Sequence, residues 1–350
     1  MRFRYNLSVT PFPVVLSATV TNACNLRCRM CAQWGPEGYI RGGRPQQAMP
    51  VSRWLELVDE AARLGTKVAV LRGGEPLLFP GVLEIIRRMK ARGLFLCMDT
   101  NAVFLERHAE ELVDSGIDVI TVSVDGPEAV HDRVRGVPGT FRAMAGGVRA
   151  VNDAKKRKAS MIPEMGACFT ISPESLPGLP VMGDVMRELG LPTISANPYY
   201  YFPQRIGAAY EERMRRELGC EAYSWRGFHH EGSGVNPEAF LRAWYEFKAR
   251  LGETKLYPFM DLSDNDYRHW FSDNETPVGR RECPNPARLL DIQPGGDANF
   301  CVDFPDYVIG NVAARSLEEV WNGERAQSFR REVAAAPFPV CLRCGAKYMS

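Results

Sequence analysis

The chain has 350 residues, of which 45% are hydrophobic and 24% are charged, as in ordinary globular proteins. Its net charge of +1 argues against a nucleic acid or an anionic membrane surface as a partner recognised by bulk charge. No uncharged apolar stretch is long enough for a transmembrane helix, and Met1–Asn6 lacks the apolar core of a signal peptide. We therefore predict a cytoplasmic protein.

Hydrophobic periodicity predicts six strands that alternate with helices, which favours a parallel sheet with right-handed crossovers. The predicted strands are 14–20, 67–72, 94–100, 118–124, 165–171 and 192–197. The predicted helices are 53–64, 82–92, 105–115, 141–154 and 179–189. Periodicity alone does not distinguish an open barrel from a doubly wound sheet.

Ten cysteines in a cytoplasmic protein indicate metal ligands rather than disulfides. Thiolates select iron–sulfur clusters or zinc, and three of them leave one iron of a cubane cluster open to an outside ligand. A CxxxCxxC motif after the first strand supplies three, and a second group lies near the C-terminus. The first group is Cys24, Cys28 and Cys31, and the second is Cys283, Cys301, Cys341 and Cys344. Cys97 and Cys168 lie in apolar strands and are predicted to be buried core thiols.

Other candidate ligands fall at the carboxyl ends of predicted strands, where barrel enzymes place their chemistry. A Gly-Gly-Glu-Pro segment follows the second strand; its glycines let backbone approach a ligand closely, and its carboxylate can accept a hydrogen bond from an ammonium group. The candidates at these strand ends are Gly73, Gly74, Glu75, Asn101, Ser123 and Asp125.

The segment 204–275 carries no motif. Asn236 and Pro237 predict the N-cap and first turn of a helix that ends near Leu251. The acidic run 261–267 lacks the spacing of a calcium-binding loop, so we assign no metal to it. Candidate substrate contacts, for which a structural packing role is equally expected, are Tyr199, Tyr200, Arg205 and Asp303.

The C-terminal region predicts a hairpin in which 289–293 and 298–302 flank a turn at 294–297. Cys283 precedes this hairpin, and Cys301 is predicted to lie on its second strand. Ser316 and Glu319 form a capping box that opens a helix. With the closing CxxC, four thiolates can complete a tetrahedral shell for zinc or a 4Fe–4S cluster.

The cysteine motif with Met30 before its last cysteine, followed by GGEP, S-x-D-G and H-D-x-x-R-G, resembles the radical S-adenosylmethionine (radical SAM) enzymes, in the branch with a C-terminal SPASM or twitch domain. The resemblance implies an α/β fold, a partial (β/α)6 TIM-like barrel over 14–198. A connecting region over 199–275 and a small α+β twitch/SPASM-like iron–sulfur module over 276–350 would follow. The C-terminal cysteine spacing is also close to that of 2-deoxy-scyllo-inosamine dehydrogenase, a radical SAM alcohol dehydrogenase.

By this resemblance the N-terminal cysteines hold a catalytic 4Fe–4S cluster whose open iron binds S-adenosylmethionine. Cleavage of that cofactor yields methionine and a 5′-deoxyadenosyl radical, which takes hydrogen from a substrate. The GGEP segment would bind the methionyl amino group, Ser123 and Asp125 would lie near the ribose, and Arg135 near the carboxylate. The implied cofactor contacts are Met30, Gly73, Gly74, Glu75, Asn101, Ser123, Asp125 and Arg135.

The resemblance further implies one auxiliary 4Fe–4S cluster on the C-terminal cysteines, with zinc as the alternative, and an electron donor such as flavodoxin or ferredoxin. The substrate is expected to be a small molecule, because only thirteen residues precede the first strand and peptide-modifying relatives often carry an extra N-terminal domain. A peptide substrate is the second possibility. A non-catalytic, zinc- or cluster-stabilised binding protein is the third.

Overall fold

The computed structural model of the protein describes residues 10–43, 46–257, 260, 262–280 and 282–348. The N-terminal hexapeptide considered as a signal sequence lies outside these residues, as does Asp261 at the start of the acidic run. Within the part of the chain that is described, no helix is both long and apolar enough to cross a membrane.

One sheet of ten strands in the described residues forms the centre of the fold. Its six central strands run parallel and lie side by side in chain order, which confirms the predicted parallel sheet. They are β1 (Val15–Thr19), β2 (Val68–Arg72), β3 (Phe95–Thr100), β4 (Val119–Ser123), β5 (Glu164–Ile171) and β6 (Thr193–Pro198). Each differs from its predicted bounds by one residue at most at either end.

Helices cover the outer face of these strands. They are α1 (Val51–Leu64), α2 (Val82–Ala91), α3 (Leu105–Ser115), α4 (Glu128–Arg135), α5 (Thr140–Arg157) and α6 (Met182–Leu189). Helix α4 was not predicted, because its eight residues are too few to show an apolar period. The helix predicted over 179–189 starts late, because Pro180 keeps the preceding segment Leu176–Val181 in a 3-10 turn.

The two faces of the central strands differ in polarity because successive side chains point to opposite sides. The outer face is apolar and packs on the helices, with Leu16, Leu71 and Met98 fully buried. On the opposite face, Arg72 of β2 lies beside Thr19 of β1, and Ser123 of β4 lies beside Cys168 of β5. We call this the inner face; it carries Ser17, Thr19, Arg72, Cys97, Asp99, Thr121, Ser123, Cys168, Thr170, Ser195 and Asn197. Cys97 and Cys168 are half-buried there, so their prediction as core thiols is wrong.

The sheet continues at both edges. Strand β7 (Lys255–Leu256) pairs parallel with β6. At the other edge β8 (Leu289–Ile292) pairs parallel with β1 and antiparallel with β9 (Asp297–Asn299), which confirms the hairpin; β10 (Gly310–Asn311) follows. Cys301 lies after β9 and not on it, because the side chain of Asn299 accepts a hydrogen bond from the Cys301 backbone N–H at 2.8 Å.

The remaining helices are α7 (Gln204–Leu218), α8 (Pro237–Arg250), α9 (Asp264–Ser272), α10 (Asn285–Arg288), α11 (Leu317–Trp321) and α12 (Glu324–Ala335). The predicted Asn236 cap of α8 is confirmed, since its side chain accepts from the Ala239 N–H at 2.9 Å. The capping box at Ser316 and Glu319 is confirmed as well. The described part of the acidic run, 262–267, leads into α9, where Ser263 forms a capping box.

A buried carboxylate ties the C-terminal hairpin to the first strand. Asp291 on β8 has no exposed surface and accepts from the Ser17 hydroxyl at 2.6 Å. Its other oxygen accepts from the side-chain amides of Gln293 at 2.6 Å and Asn299 at 3.2 Å. Burial raises the pKa of this carboxyl, and the three donors oppose that rise. The pairing of β1 with β8 therefore includes a side-chain network as well as a backbone ladder.

We predict that Asp291→Ala lowers the free energy of unfolding by about 2 kcal/mol, because three buried donors lose their acceptor. Ser17→Ala should cost less, and the double variant should lose little more than Asp291→Ala alone because the two residues share one bond. Urea unfolding of the iron-free protein measures these values. The exposed Asp153→Ala serves as control, and additive losses in the double variant would contradict a shared interaction.

Candidate active site

The three cysteines of the CxxxCxxC motif lie in a loop after β1, and each sulfur receives an N–H donor. The Leu26 backbone N–H donates to Cys24 Sγ and the Trp34 backbone N–H to Cys31 Sγ, both at 3.4 Å. Burial, together with the neighbouring motif cysteines, raises the pKa of Cys24 to about 12, although the Leu26 N–H opposes the rise. Three half-buried sulfurs that each have a donor of their own and repel one another as thiolates fit a positively charged iron–sulfur core, which would hold all three ionised.

The GGEP segment holds this cysteine loop from one side. The backbone N–H of Gly74 donates to Thr21 O at 2.7 Å, and that of Glu75 to Ala23 O at 2.8 Å. A Cβ atom added at Gly74 would lie 2.4 Å from Ala23 O, closer than real Cβ contacts allow. The second glycine is therefore required for the two loops to pair.

Glu75 is completely buried, and both of its carboxylate oxygens are engaged by the protein. Oε1 accepts from the Leu77 N–H at 3.1 Å and from the Thr100 hydroxyl at 2.8 Å, and Oε2 accepts from the Asn101 N–H at 2.9 Å. Burial raises the pKa of Glu75 to about 7 against these donors. This geometry gives Glu75 a positioning role between the ends of β2 and β3.

Asn101 continues the same connection into the cysteine loop. Its side-chain amide donates to Asn25 Oδ1 at 2.8 Å, between the first two motif cysteines. It is almost fully buried, with 8% of its surface exposed. Strands β2 and β3 thus both hold the loop, each through a residue that the sequence marked as a candidate.

Helix α4 holds the third side of the loop through a buried ion pair. Arg135 Nε lies 2.6 Å from Asp125 Oδ2, and Asp125 has no exposed surface. Arg135 Nη1 also donates to Cys28 Sγ at 3.6 Å, while its backbone carbonyl accepts from the Arg27 N–H at 3.1 Å. Burial raises the pKa of Asp125, and the Arg135 guanidinium opposes that rise. The ion pair neutralises the charge of Asp125 next to Cys28.

The structure separates the predicted ribose contacts. Ser123 is half-buried at the end of β4 on the inner face, whereas Asp125 points into the protein toward Arg135. Met30 is half-buried and lines a cavity of about 550 Å³, together with Arg29, Tyr199 and His230. His230 was not singled out as a site residue, because adjacent histidines in sequence gave no sign that one of them faces a cavity.

The four C-terminal cysteines converge on a second, apolar cavity. Its walls are mostly aromatic and aliphatic, and the thiols raise one another's pKa values after burial itself. The cysteines that line it are Cys283, Cys301, Cys341 and Cys344. Among the described residues, no group of three or more Cys, His, Asp or Glu side chains is placed so that it could hold a metal ion.

Helix α7 of the connecting region forms part of this second site. Tyr210 lines the cavity, and its hydroxyl donates at 2.9 Å to Asp306, which is buried just beyond Cys301. Asp306 also accepts from the backbone N–H of Tyr223 at 2.8 Å and of Ser224 at 2.9 Å. Residues 204–228 therefore pack on the cysteine module. This contact was not predicted from the sequence, because the segment carries no motif.

The inner face also carries a charged pair, Arg72 and Asp99. Arg72 Nε lies 3.1 Å from Asp99 Oδ2, and 40% of the Asp99 side chain is exposed. The Tyr200 hydroxyl donates to Asp303 and accepts from the backbone N–H groups of Gly345, at 2.9 Å, and Ala346. Burial raises the pKa of Asp303, and the Arg72 guanidinium opposes the rise. Asp303 thus connects the inner face to the cysteine module.

Two of the four candidate substrate contacts have other partners. Arg205 forms an exposed ion pair with Glu275. The Tyr199 hydroxyl donates to the backbone carbonyl of Ser233. Arg72 and Asp99 were missed, although the alternation of β2 and β3 puts both on the face opposite the apolar core. The alternation of side chains along these two strands, rather than a motif, could have identified both residues from the sequence.

Two family profiles match the sequence of this chain. The radical SAM superfamily profile matches residues 18–164, and an iron-sulfur cluster-binding domain, SPASM, matches 283–345. The chain thus carries a radical SAM domain followed by a SPASM domain. Its cofactors are accordingly S-adenosylmethionine and iron–sulfur clusters.

Similar proteins differ in what they are named for. The chain is 28% identical over 208 residues to an AdoMet-dependent heme synthase of Methanosarcina barkeri, covering 59% of this chain and 56% of the relative. It is 24% identical over 351 residues to the pre-heme d1 synthase of Dinoroseobacter shibae, covering 96% and 79%. Streptococcus suis SuiB, solved with its precursor peptide SuiA, shares the fold with a TM-score of 0.63 at 13% identity, covering 96% and 72%. The chain thus spans little more than half of the first relative.

We predict that Arg135→Met releases the cluster from the N-terminal cysteines, because Cys28 loses a donor and buried Asp125 loses its counter-charge. Removing one partner of a buried pair costs about 3–5 kcal/mol. Iron and sulfide per chain, measured after anaerobic reconstitution, should fall by about half, corresponding to one of two cubane clusters.

The matched control is Arg133→Met, which removes an exposed arginine from the same helix. It should retain all of its iron. Full iron occupancy in Arg135→Met would show that the ion pair does not support the cluster site.

Proposed function

We propose that the protein is a radical SAM oxidoreductase that removes hydrogen from a hydrophilic small molecule and passes one electron to an auxiliary 4Fe–4S cluster. The observation that carries this proposal is the polar inner face, which leads through Asp303 to the C-terminal cysteine module. The S-adenosylmethionine bound at the N-terminal cluster would supply a carbon-centred radical that abstracts one hydrogen atom from the substrate.

The cysteine loop, Glu75 and Asn101 would keep the N-terminal cluster and cofactor in a fixed position. Ser123, half-buried on the inner face, remains the predicted ribose contact. Because Asp125 is buried against Arg135, we propose that it supports the site through that ion pair. Gly73 and Gly74 would bring the backbone next to the methionyl group, as the family pattern implies.

The inner-face residues would bind and deprotonate the substrate. Asp99 is the accessible carboxylate and suits a hydroxyl or amino group, whereas Arg72 is held between carboxylates. After hydrogen abstraction, oxidation of a carbinol centre to a carbonyl requires the loss of one more electron and one proton. The proton would go to the Asp303 carboxylate, and the electron to the auxiliary cluster held beside it by Cys301.

A heme-type substrate, which the names of two relatives suggest, has less support. A tetrapyrrole offers a broad apolar face with carboxylate groups, so its site needs an apolar slot and basic side chains. In the described part of the inner face, Arg72 is already paired with Asp99 and lies near Asp303. The acidic balance of this lining favours polar substrates without several carboxylates.

A peptide substrate is the second candidate, favoured by the shared fold with SuiB. A peptide side chain could enter the same polar space, and the proton and electron would leave in the same way. A flavodoxin or ferredoxin in the cytoplasm is the electron donor we expect for either substrate.

We predict that wild-type protein binds about eight irons per chain, and that replacing Cys24, Cys28 and Cys31 by alanine leaves about four. That variant should form no 5′-deoxyadenosine from S-adenosylmethionine with dithionite. Replacing the four C-terminal cysteines instead should leave this cleavage in place, because the open cluster remains. Undiminished iron in the first variant would contradict the proposal. About four irons in the wild-type protein would indicate that the C-terminal cysteines hold zinc instead of a cluster.

We predict that cyclitols or aminocyclitols, rather than a precursor-type peptide or a porphyrin, accelerate 5′-deoxyadenosine formation. Carbon-bound deuterium of an active probe should appear in the 5′-deoxyadenosine. Asp303→Asn should then lower formation of the oxidised product at least about a hundredfold, the usual contribution of a general base, with deuterium transfer retained. Asp153→Asn, an exposed carboxylate, is the control, and stimulation by peptides alone would favour the second candidate.

A further inference from the structure

The auxiliary cavity contains one lysine, and its position is unusual for that residue type. Lys347 follows the last cysteine by three residues, is 5% exposed, and lines the cavity with all four cysteines. Lysine is almost never this deeply buried without partners for its charge. Its Nζ donates to Val278 O at 3.3 Å and to Cys341 O at 3.4 Å.

The surroundings identify what the ammonium group faces. Lys347 shares the cavity with the four cysteines. Burial lowers the pKa of its ammonium group, the Cys344, Cys341 and Cys283 sulfurs oppose that fall, and Arg343 adds to it. Arg343 itself is turned away, donating to the backbone carbonyls of Thr276 and His269. The cysteine sulfurs are therefore among the groups that the charge of Lys347 faces.

The nearby carboxylates have other partners. Asp303 is bonded to Tyr200 and attracted by Arg72, and Asp306 is bonded to Tyr210 and Ser224. Aromatic and aliphatic side chains make up most of the remaining wall. A single cation in such an apolar setting acts on the cluster charge with little screening.

We propose that Lys347 sets the reduction potential of the auxiliary cluster, acting as a positioning cation that makes the cluster a better electron acceptor. A four-cysteine cluster is anionic, and it gains one more negative charge when it is reduced. A fixed positive charge beside it therefore stabilises the reduced form more than the oxidised form and raises the potential. The proposal rests on the proposed function, since it requires a cluster at this site.

The test uses the full-length chain with Cys24, Cys28 and Cys31 replaced by alanine, so that the auxiliary cluster is the only one present. Its midpoint potential is measured by a redox titration monitored by electron paramagnetic resonance. We expect Lys347→Met and Lys347→Gln to lower the midpoint, and Lys347→Arg to stay near the parent value. Lys155→Met is the matched control, because Lys155 Nζ also donates to a backbone carbonyl, at 2.8 Å from Pro163 O.

The outcomes separate charge from packing. An unchanged midpoint in Lys347→Gln at full iron content overturns the proposal. Loss of iron from all three variants, arginine included, also overturns it, because it shows a role in packing. Loss from both neutral variants with retention in Lys347→Arg supports it. A parent protein without iron would contradict the auxiliary cluster itself, a failure of the proposed function that is visible before any lysine variant is made.

Discussion

The parallel pairing of β1 with β8 is the constraint on which the two cysteine sites depend. The same strand that leads into the N-terminal cysteine loop is bonded to β2 on one side and to the C-terminal hairpin on the other. A continuous route of side-chain bonds runs along this pairing, from Ser17 to Asp291, to Asn299, and on to the Cys301 N–H. Because Asn299 both donates to Asp291 and accepts from Cys301, a shift of the hairpin relative to β1 would move a cysteine of the second site.

The N-terminal site is built by a different principle, in which polar groups from three elements hold one loop. Glu75, Asn101 and Arg135 each bond to the loop or to a residue that does. Buried carboxylates at two of these points are compensated by N–H donors or by a guanidinium, as buried charges must be. Such a loop keeps its shape without a large apolar core of its own, which leaves space for a cofactor beside the cysteines.

Much of this arrangement was predictable from sequence, for identifiable physical reasons. The six parallel strands follow from apolar segments with turn residues at both ends, and the cysteine spacing, GGEP and the closing CxxC mark both cysteine groups. Contacts between distant segments were not predictable. The Asp125–Arg135 pair, the Asp306 contacts to α7 and the turn that takes Cys301 off β9 each join residues whose partners have no local signature. Short α4 and the proline-broken start of α6 were missed because local periodicity fails there.

The polar inner face and the apolar cavity of the C-terminal cysteines match, in the proposed reaction, the two particles that a substrate radical would lose. A proton needs a polar group with a site to accept it, and Asp303, which is bonded to Tyr200 and attracted by Arg72 of the inner face, would offer one. An electron needs a cluster shielded from water, whose potential depends on nearby charge and burial, and the apolar cavity around Cys301 provides that setting. Asp303 and Cys301 are two residues apart in one loop after β9. The chain thus brings the polar and apolar sites together at a single turn, so that both losses can follow from one bound substrate.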